Sequence, residues 1–329
     1  MKNKLSNKGT IKKVAALLSD ADSVLIFPHM QMDGDAMGAS AALCGALRRQ
    51  GKKADVLIED KIPENLRFLD KGYCIQDYRN NKTDVCIALD CSDFLRIEKR
   101  QDIFKNGRQT VMIDHHTTSQ PFADINYIDP SSSSTGEIVF LILKQMGVRI
   151  DPDAAEALFA AIATDTGGFL YSSTSEKTHL AVAELYKAGL NHNRAVVEIY
   201  QKKRIEKVKL ISRILGTMEM IHGGKANLAV MTQQMLADTG AYPEETEGLV
   251  EELRNINGVE ISAFLKEEEG AVRVTMRSKS RADVSAIAME YGGGGHTKAA
   301  GCTIPGGIDE ARQLIADSIG RQLDDLSRL

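Results

Sequence analysis

Long apolar segments are absent from this sequence, and so is any long block of charges of one sign. No run is long enough to cross a bilayer, which requires about 20 apolar residues in succession. The lysine-rich N-terminus leads into an apolar segment that Asp20 and Asp22 interrupt, which argues against a secretory signal peptide. We therefore expect a protein that has no membrane attachment.

Cysteine is scarce: the chain has five, an odd number, and they form no Cys-x-x-Cys pair. This usage is typical of reduced core residues in a cytosolic protein, so we expect a cytoplasmic location. The net charge of −4 argues against tight, sequence-independent binding to long nucleic acid, which needs many phosphates neutralised by Lys and Arg. The 329 residues, 43% of them apolar and 26% charged, indicate a globular protein of two domains.

Acidic and imidazole side chains follow three apolar, strand-like segments of the first half of the chain. These segments are 23–27, 85–89 and 111–113, and the polar residues after them are His29, Asp33, Asp35, Asp90, Asp114, His115 and His116. In an open parallel α/β sheet, ligands bind beyond the carboxyl ends of the strands. The three segment ends therefore predict one site, to which Asp165, after an Ala-rich helical segment, adds another carboxylate.

Each of these residues alone has an ordinary structural explanation. Asp33 and Asp35 could cap a loop, Asp90 could cap a helix, and Asp165 precedes a Thr-Gly-Gly turn. Together, however, so many acids at one sheet edge would repel each other unless cations lay among them. Carboxylate and imidazole without thiolate favour manganese, magnesium or iron over a structural zinc site. Two divalent ions would also bind the attacking and leaving oxygens of a phosphoryl transfer.

Three regions follow from the pattern of predicted elements. We predict an α/β domain with a parallel sheet over 1–190, a helical connector over 191–222, and a smaller α+β domain over 223–329. The connector has a basic face from Lys202 to Lys209, which is interpreted as a solvated surface. Alternating segments around Glu267–Gly270 predict a β-hairpin in the last region.

Four consecutive glycines, 292–295, precede His296 in the predicted second domain. Their backbone N–H groups could approach a phosphate closely, as in anion-binding nests, and Arg277 could add positive charge. The alternative for the same residues is a flexible turn without a ligand.

At these motifs the chain resembles the DHH family of phosphoesterases, which is named for the triplet Asp114-His115-His116. The segment His29-x-x-x-Asp33-Gly34-Asp35 is similar to the family's first motif, Asp90 to the second, and Asp165-Thr-Gly-Gly to the fourth. The glycine run with Ala299-Ala300-Gly301 resembles the DHH-associated domain. Met32 and Ala39 depart from the residues common in the family, Pro and Ser, but neither is a ligand position. Within the family, the length of the chain favours the branch of oligoribonucleases (nanoRNases) and 3′-phosphoadenosine 5′-phosphate phosphatases.

The resemblance implies a centre of two manganese ions, with magnesium or cobalt as possible substitutes. One ion would be held by His29, Asp33 and Asp90, and the other by Asp35, Asp90, His115 and Asp165, so that Asp90 bridges them. His116 would contact the scissile phosphate, and Asp114 would orient one of the histidines. A hydroxide bridging the ions would attack phosphorus in line. The residues expected to bind the substrate are Arg277, Gly293, Gly294, Gly295 and His296.

The expected reaction is hydrolysis of short RNA or DNA oligonucleotides to mononucleotides, and of 3′-phosphoadenosine 5′-phosphate to AMP. Four alternatives stay open: a cyclic or linear dinucleotide phosphodiesterase, a RecJ-like single-strand exonuclease, a pyrophosphatase or exopolyphosphatase, and a non-catalytic nucleotide-binding regulator. A homodimer is also expected as a possible assembly.

Overall fold

The computed structural model describes residues 7–79 and 82–328. They form two compact units, and the division between the units lies between Lys202 and Lys203. Among the described residues, no helix has both the length and the apolar character needed to span a membrane.

The first unit is built on a parallel sheet of six strands in the order β3-β2-β1-β4-β5-β6. The strands are β1 Ser23–Pro28, β2 Lys53–Leu57, β3 Cys74–Ile75, β4 Thr83–Leu89, β5 Gly107–Asp114 and β6 Ile125–Ile128. The helices are α1 Asn7–Asp20, α2 Gly34–Arg49, α3 Gln101–Lys105, α4 Thr135–Gln145, α5 Pro152–Asp165, α6 Glu176–Lys187 and α7 His192–Tyr200, with 3-10 turns at Glu64–Leu69 and Phe94–Arg100.

Apolar side chains cover both faces of this sheet. Val24 and Ile26 of β1 point into a core shared with α2, α4 and α5, whereas Leu25 and Phe27 point to the opposite face. There the Phe27 ring meets Phe104 of α3 edge-on, with centroids 5.3 Å apart. Burial on both faces explains why these strands are continuous apolar runs rather than alternating ones.

Helices α2 and α5 pack at very short distance. A Cβ atom at Gly38 would lie 2.3 Å from the carbonyl oxygen of Ala157, so only glycine fits at this contact. The close contact brings the N-terminus of α2 and the C-terminus of α5 to the same edge of the sheet as the strand ends.

The second unit has a mixed sheet in the order β11-β12-β10-β9-β8-β7, in which only the β8–β9 pair among the described strands is parallel. Its strands are β7 Glu219–Ile221, β8 Ala226–Met231, β9 Ile261–Glu268, β10 Ala271–Ser278, β11 Gly294–His296 and β12 Ala299–Pro305. Its helices are α8 Ile205–Leu215, α9 Gln233–Thr239, α10 Leu249–Arg254, α11 Val284–Glu290 and α12 Ile308–Arg328, with 3-10 turns at His222–Gly224 and Pro243–Thr246.

The architecture confirms the predicted fold class, a parallel-sheet α/β domain followed by a smaller α+β domain. The segment predicted as a connector, 191–222, is divided between the units. Helix α7 belongs to the first unit because Ala195 and Ile199 are buried in its core. Helix α8 belongs to the second unit, where Leu210 and Ile214 are buried. The end of the segment was expected to be helical, but Glu219–Ile221 forms strand β7 and pairs with β8.

Candidate metal centre

The carboxyl ends of β1, β4 and β5, three neighbouring strands, bring the predicted polar residues together. His29 follows β1, Asp90 follows β4, and Asp114 is the last residue of β5. Asp33 caps the N-terminus of α2 by accepting hydrogen bonds from the amides of Asp35 and Ala36. Asp165 reaches the same edge as the last residue of α5, whereas the sequence suggested a position just after the helix.

Asp90 has a left-handed backbone, with φ of 60°. Few residues other than glycine adopt this conformation, and such strain is concentrated at functional sites. The amide of Asp90 donates to the carbonyl of Ile113 on the neighbouring strand, at 3.0 Å, which fixes the turn. Its buried carboxylate accepts a hydrogen bond from the Thr135 hydroxyl, also at 3.0 Å.

The N-terminus of α4 holds the carboxylate of Asp35, which is only 1% exposed. The amide of Thr135 donates to Asp35 Oδ2 at 2.7 Å, and the amide of Gly136 donates to Oδ1 at 2.8 Å. Free N–H groups at a helix N-terminus stabilise negative charge. The sequence does not predict these two contacts, because Thr135 and Gly136 lie 100 and 101 residues from Asp35 along the chain.

Imidazole nitrogens and carboxylate oxygens face each other without hydrogen bonding. His29 Nε2 lies 3.6 Å from Asp33 Oδ1 and 3.5 Å from Asp90 Oδ2. His115 Nε2 lies 3.8 Å, 3.7 Å and 3.4 Å from oxygens of Asp35, Asp90 and Asp165. These distances exceed those of hydrogen bonds. They are below about 4.2 Å, the largest separation possible for two atoms bound to one ion at about 2.1 Å.

The donor atoms fit divalent metal. Three overlapping groups of possible ligand atoms occur among the described residues: His29, Asp33 and Asp90; Asp35, His115 and Asp165; and Asp90, Asp114, His115 and His116. In addition, His115 Nε2 is buried and has no hydrogen-bond partner in the described part of the chain. A buried polar atom without a partner is costly unless something binds it. A divalent cation between these carboxylates would remove that cost.

The titration behaviour of the acids supports the same conclusion. Burial, together with the charges of Asp90 and Asp165, raises the pKa of Asp35 well above its usual range. Burial also raises the pKa of Asp165 to about 6, with help from Asp90 and against the opposing effect of His115. Although burial opposes it, the carboxylates of Asp33 and Asp90 raise the pKa of His29 to about 10. The cluster therefore holds protons where divalent cations could compensate the same negative charge.

Asp114 is paired with His116 rather than with the ring of His115. Its Oδ1 lies 2.8 Å from His116 Nδ1, and the Ser119 hydroxyl donates to its Oδ2. The hydrogen bond with Asp114 raises the pKa of His116 to about 9, so the ring is a cation at neutral pH. The His116 side chain is 43% exposed, whereas that of His115 is 13% exposed. His116 is thus the more accessible of the two rings.

A groove of about 610 Å³ lies on the second unit, over the open face of β10 and β12. Arg273, Arg277, Gly293 and Gly294 line it. The guanidinium of Arg277 is fixed by Glu251 of α10, with Nε donating to Oε1 at 2.8 Å. Two of the predicted residues, Gly295 and His296, are exposed on β11 and lie outside the lining of the groove.

The glycines at 293 and 295 have a structural reason of their own. A Cβ at Gly293 would lie 2.3 Å from the carbonyl oxygen of Gly301, and one at Gly295 would lie 2.5 Å from that of Ala299. The adjacent strand therefore excludes side chains at both positions. Gly294, by contrast, has open space where a side chain would be.

Each of the two units matches a known protein family. Residues 23–162 match the DHH family, N-terminal domain, and residues 227–321 match the DHHA1 domain. The bifunctional oligoribonuclease and PAP phosphatase NrnA of Bacillus subtilis is 28% identical over 90% of this chain and 93% of its own. An exopolyphosphatase-related protein from Bacteroides fragilis superimposes with a TM-score of 0.88 at 25% identity, over 97% and 98% of the two chains. Exonuclease RecJ bound to manganese shares the fold, with a TM-score of 0.57 at 13% identity over 95% and 94%.

Proposed function

This chain belongs to the DHH family of phosphoesterases, and from that premise we propose that it hydrolyses short oligonucleotides and 3′-phosphoadenosine 5′-phosphate with manganese. The substrates are those in the name of the Bacillus subtilis relative, whose similarity extends over nearly the whole chain. Manganese is supported by the carboxylate and imidazole donors and by the ion bound in the RecJ structure.

The observation that carries the proposal is the convergence of His29, Asp90 and His115 from three strand ends, with Asp90 within 3.5–3.7 Å of both rings. His29, Asp33 and Asp90 would hold one ion, and Asp35, Asp90, His115 and Asp165 the other. Divalent ions bound there would supply Lewis-acid activation of the phosphate and a water of lowered pKa.

The residues around the donors would keep the centre in place. The amides of α4 fix the Asp35 carboxylate, and the Thr135 hydroxyl fixes that of Asp90. Such partners orient metal ligands and are often nearly as important as the ligands themselves. Because Asp90 has contacts on both sides, it is the residue proposed to bridge the two ions.

His116 would act on the substrate. Its side chain is partly exposed, and the hydrogen bond with Asp114 raises its pKa to about 9, which keeps the ring protonated at neutral pH. A cationic N–H donor at this position would stabilise charge that develops on the phosphate oxygens. Asp114 would hold the ring in the required orientation.

The groove of the second unit is proposed to bind the nucleotide part of the substrate. Arg277 and Arg273 would attract its anionic groups, and the open space at Gly294 would allow close approach to the backbone. Gly293 and Gly295 would contribute by keeping the strand edge free of side chains. His296, exposed beside them, remains part of this proposed surface.

The decisive experiment compares manganese-dependent turnover of five substrates: a dinucleotide, a long single strand, 3′-phosphoadenosine 5′-phosphate, a cyclic dinucleotide and pyrophosphate. The Asp90→Asn variant, purified in parallel, controls for contaminating nucleases. We expect the wild type to cleave the dinucleotide and 3′-phosphoadenosine 5′-phosphate fastest. The Asp90→Asn variant should not show this activity. Preference for the long strand would support a RecJ-like exonuclease instead, and preference for pyrophosphate or the cyclic compound would support the corresponding alternative.

A further inference from the structure

Arg96 lies at the margin of the candidate metal centre, in the 3-10 turn that follows Asp90 along the chain. Its Nη2 is 2.9 Å from Nδ1 of His29. Its backbone carbonyl accepts a hydrogen bond from the amide of Met30 at 3.0 Å. These two contacts hold the guanidinium group next to a predicted metal ligand.

The Nδ1 atom of His29 has two neighbours that compete for it. The carbonyl oxygen of Met30 is 2.6 Å away and can only accept, whereas the guanidinium of Arg96 can only donate. A ring that binds metal through Nε2 carries its proton on Nδ1. That proton would be donated to Met30, and the N–H of Arg96 would then face another N–H.

Arg96 would therefore have no hydrogen bond to the ring of a metal-bound His29. Within 7–79 and 82–328, the structure gives the Arg96 guanidinium no other hydrogen bond and no ion pair. Other arginines of the first unit differ: Arg100 donates to backbone carbonyls of Ile97 and Leu57, and Arg108 pairs with Asp84. Arg96 is thus a half-buried cation with free donors beside a site of many acids, and it pairs with none of the described ones.

We propose that Arg96 binds a non-bridging oxygen of the substrate phosphate at this centre and is a catalytic residue of the hydrolysis. The inference rests on the proposed function, since it takes a phosphoester as the ligand. A planar guanidinium can bind two phosphate oxygens at once, which a single ammonium group cannot. Charge on these oxygens grows during phosphoryl transfer, so a fixed donor at this position would accelerate the reaction.

The test uses three variants of the full-length protein: Arg96→Met, Arg96→Lys and, as a matched control, Arg108→Met. Arg108 also carries a positive charge in the first unit, but its side chain is 75% exposed and lies at the start of β5, away from the strand ends. Calorimetry measures the affinity of each protein for Mn²⁺ alone, and then the affinity of the manganese-loaded protein for inorganic phosphate. Steady-state kinetics on a dinucleotide follow, and thermal unfolding verifies that each variant is folded.

We expect Arg96→Met to lower kcat/KM by about 10²- to 10³-fold, as for loss of one donor to a developing oxyanion. Phosphate affinity should fall at least about tenfold, the equivalent of one hydrogen bond to a charged group. Mn²⁺ affinity should be unchanged or higher, because a positive charge near the ions has been removed. Arg96→Lys should recover part of the phosphate affinity, and Arg108→Met should behave as the wild type.

Two results would overturn the inference. If Arg96 only positions His29, Arg96→Met should weaken Mn²⁺ binding and leave phosphate affinity of the loaded protein unchanged. Equal phosphate affinity in wild type, Arg96→Met and Arg96→Lys would also show that Arg96 does not bind the phosphate. If one variant is unstable, the other still gives this comparison. Because phosphate binding does not depend on turnover, the two failures can be told apart. A wild type that binds phosphate through Arg96 but cleaves no nucleotide would contradict the proposed function, while the phosphate contact of Arg96 would stand.

Discussion

Thr135 offers a direct test of whether the N-terminus of α4 supports the metal centre. Its hydroxyl donates to Asp90 Oδ1 at 3.0 Å, and its amide donates to Asp35 Oδ2 at 2.7 Å. Substitution by valine removes only the hydroxyl, because valine has nearly the same shape and the amide stays in place. The side chain is fully buried, so water cannot take over the lost hydrogen bond.

The size of the effect follows from the charge of the acceptor. A hydrogen bond to a charged group contributes about 1.5 to 3 kcal/mol, and each 1.4 kcal/mol corresponds to about a factor of ten in affinity. If the hydroxyl orients Asp90 as a bridging ligand, Thr135→Val should weaken Mn²⁺ binding about 10- to 100-fold. In metal sites generally, loss of a residue that hydrogen-bonds to a metal ligand lowers metal affinity by a similar factor.

The assay is titration of the metal-free protein with Mn²⁺ in a calorimeter, with dinucleotide turnover measured on the same samples. Thr135→Ser should restore binding because it keeps the hydroxyl. Thr239→Val is a control for loss of a buried threonine hydroxyl, since that group bonds to backbone groups of the second unit, namely the carbonyls of Met235 and Leu236 and the amide of Ala241. Mn²⁺ affinity of Thr135→Val within about threefold of wild type would refute the role assigned to this hydroxyl.

Three further predictions concern single side chains. His115→Ala should lower the metal content found by elemental analysis, whereas His116→Ala should keep both ions and lose turnover; equal metal loss would contradict this division. Arg277→Ala should raise KM for a dinucleotide and leave metal content unchanged, so a normal KM would exclude Arg277 from substrate binding. Although burial opposes it, backbone amides of residues 280–282 lower the pKa of Glu260. Glu260→Gln should therefore reduce the free energy of unfolding by about 1 to 2 kcal/mol at pH 7. In denaturant titrations this difference should shrink as the pH falls through the lowered pKa, and a difference that does not change with pH would argue against the charge.

The strand ends were the part of the site that the sequence could predict. Apolar segments of strand length ended in His29, Asp90 and Asp114, and parallel strands must deliver such residues to one edge. The same reasoning could not find the partners of Asp35 and Asp90. Thr135 is 100 residues from Asp35, and their contact depends on how α4 packs against α2.

Contacts of the second unit were harder to predict for a similar reason. The hairpin periodicity located Arg277 on a strand, but its partner Glu251 belongs to α10, which packs against β9 and β10. The glycine run was interpreted only in terms of a ligand or a loop. The structure adds a steric cause at Gly293 and Gly295, which is visible only once β11 and β12 are paired.

Helix N-termini alone do not balance the charge of the candidate centre. Asp35 lies in the first turn of α2 and accepts two amides of α4, an arrangement that should lower the pKa of its carboxyl. Burial and the charges of Asp90 and Asp165 nevertheless raise that pKa well above its usual range. The amides therefore orient this carboxylate, but they do not offset the effect of burial and of the two neighbouring acids on its pKa. The positive charge that balances the cluster must come from protons or from cations. The Nε2 atom of His115 lies beside the same carboxylate and has no hydrogen-bond partner among the described residues, which favours cations.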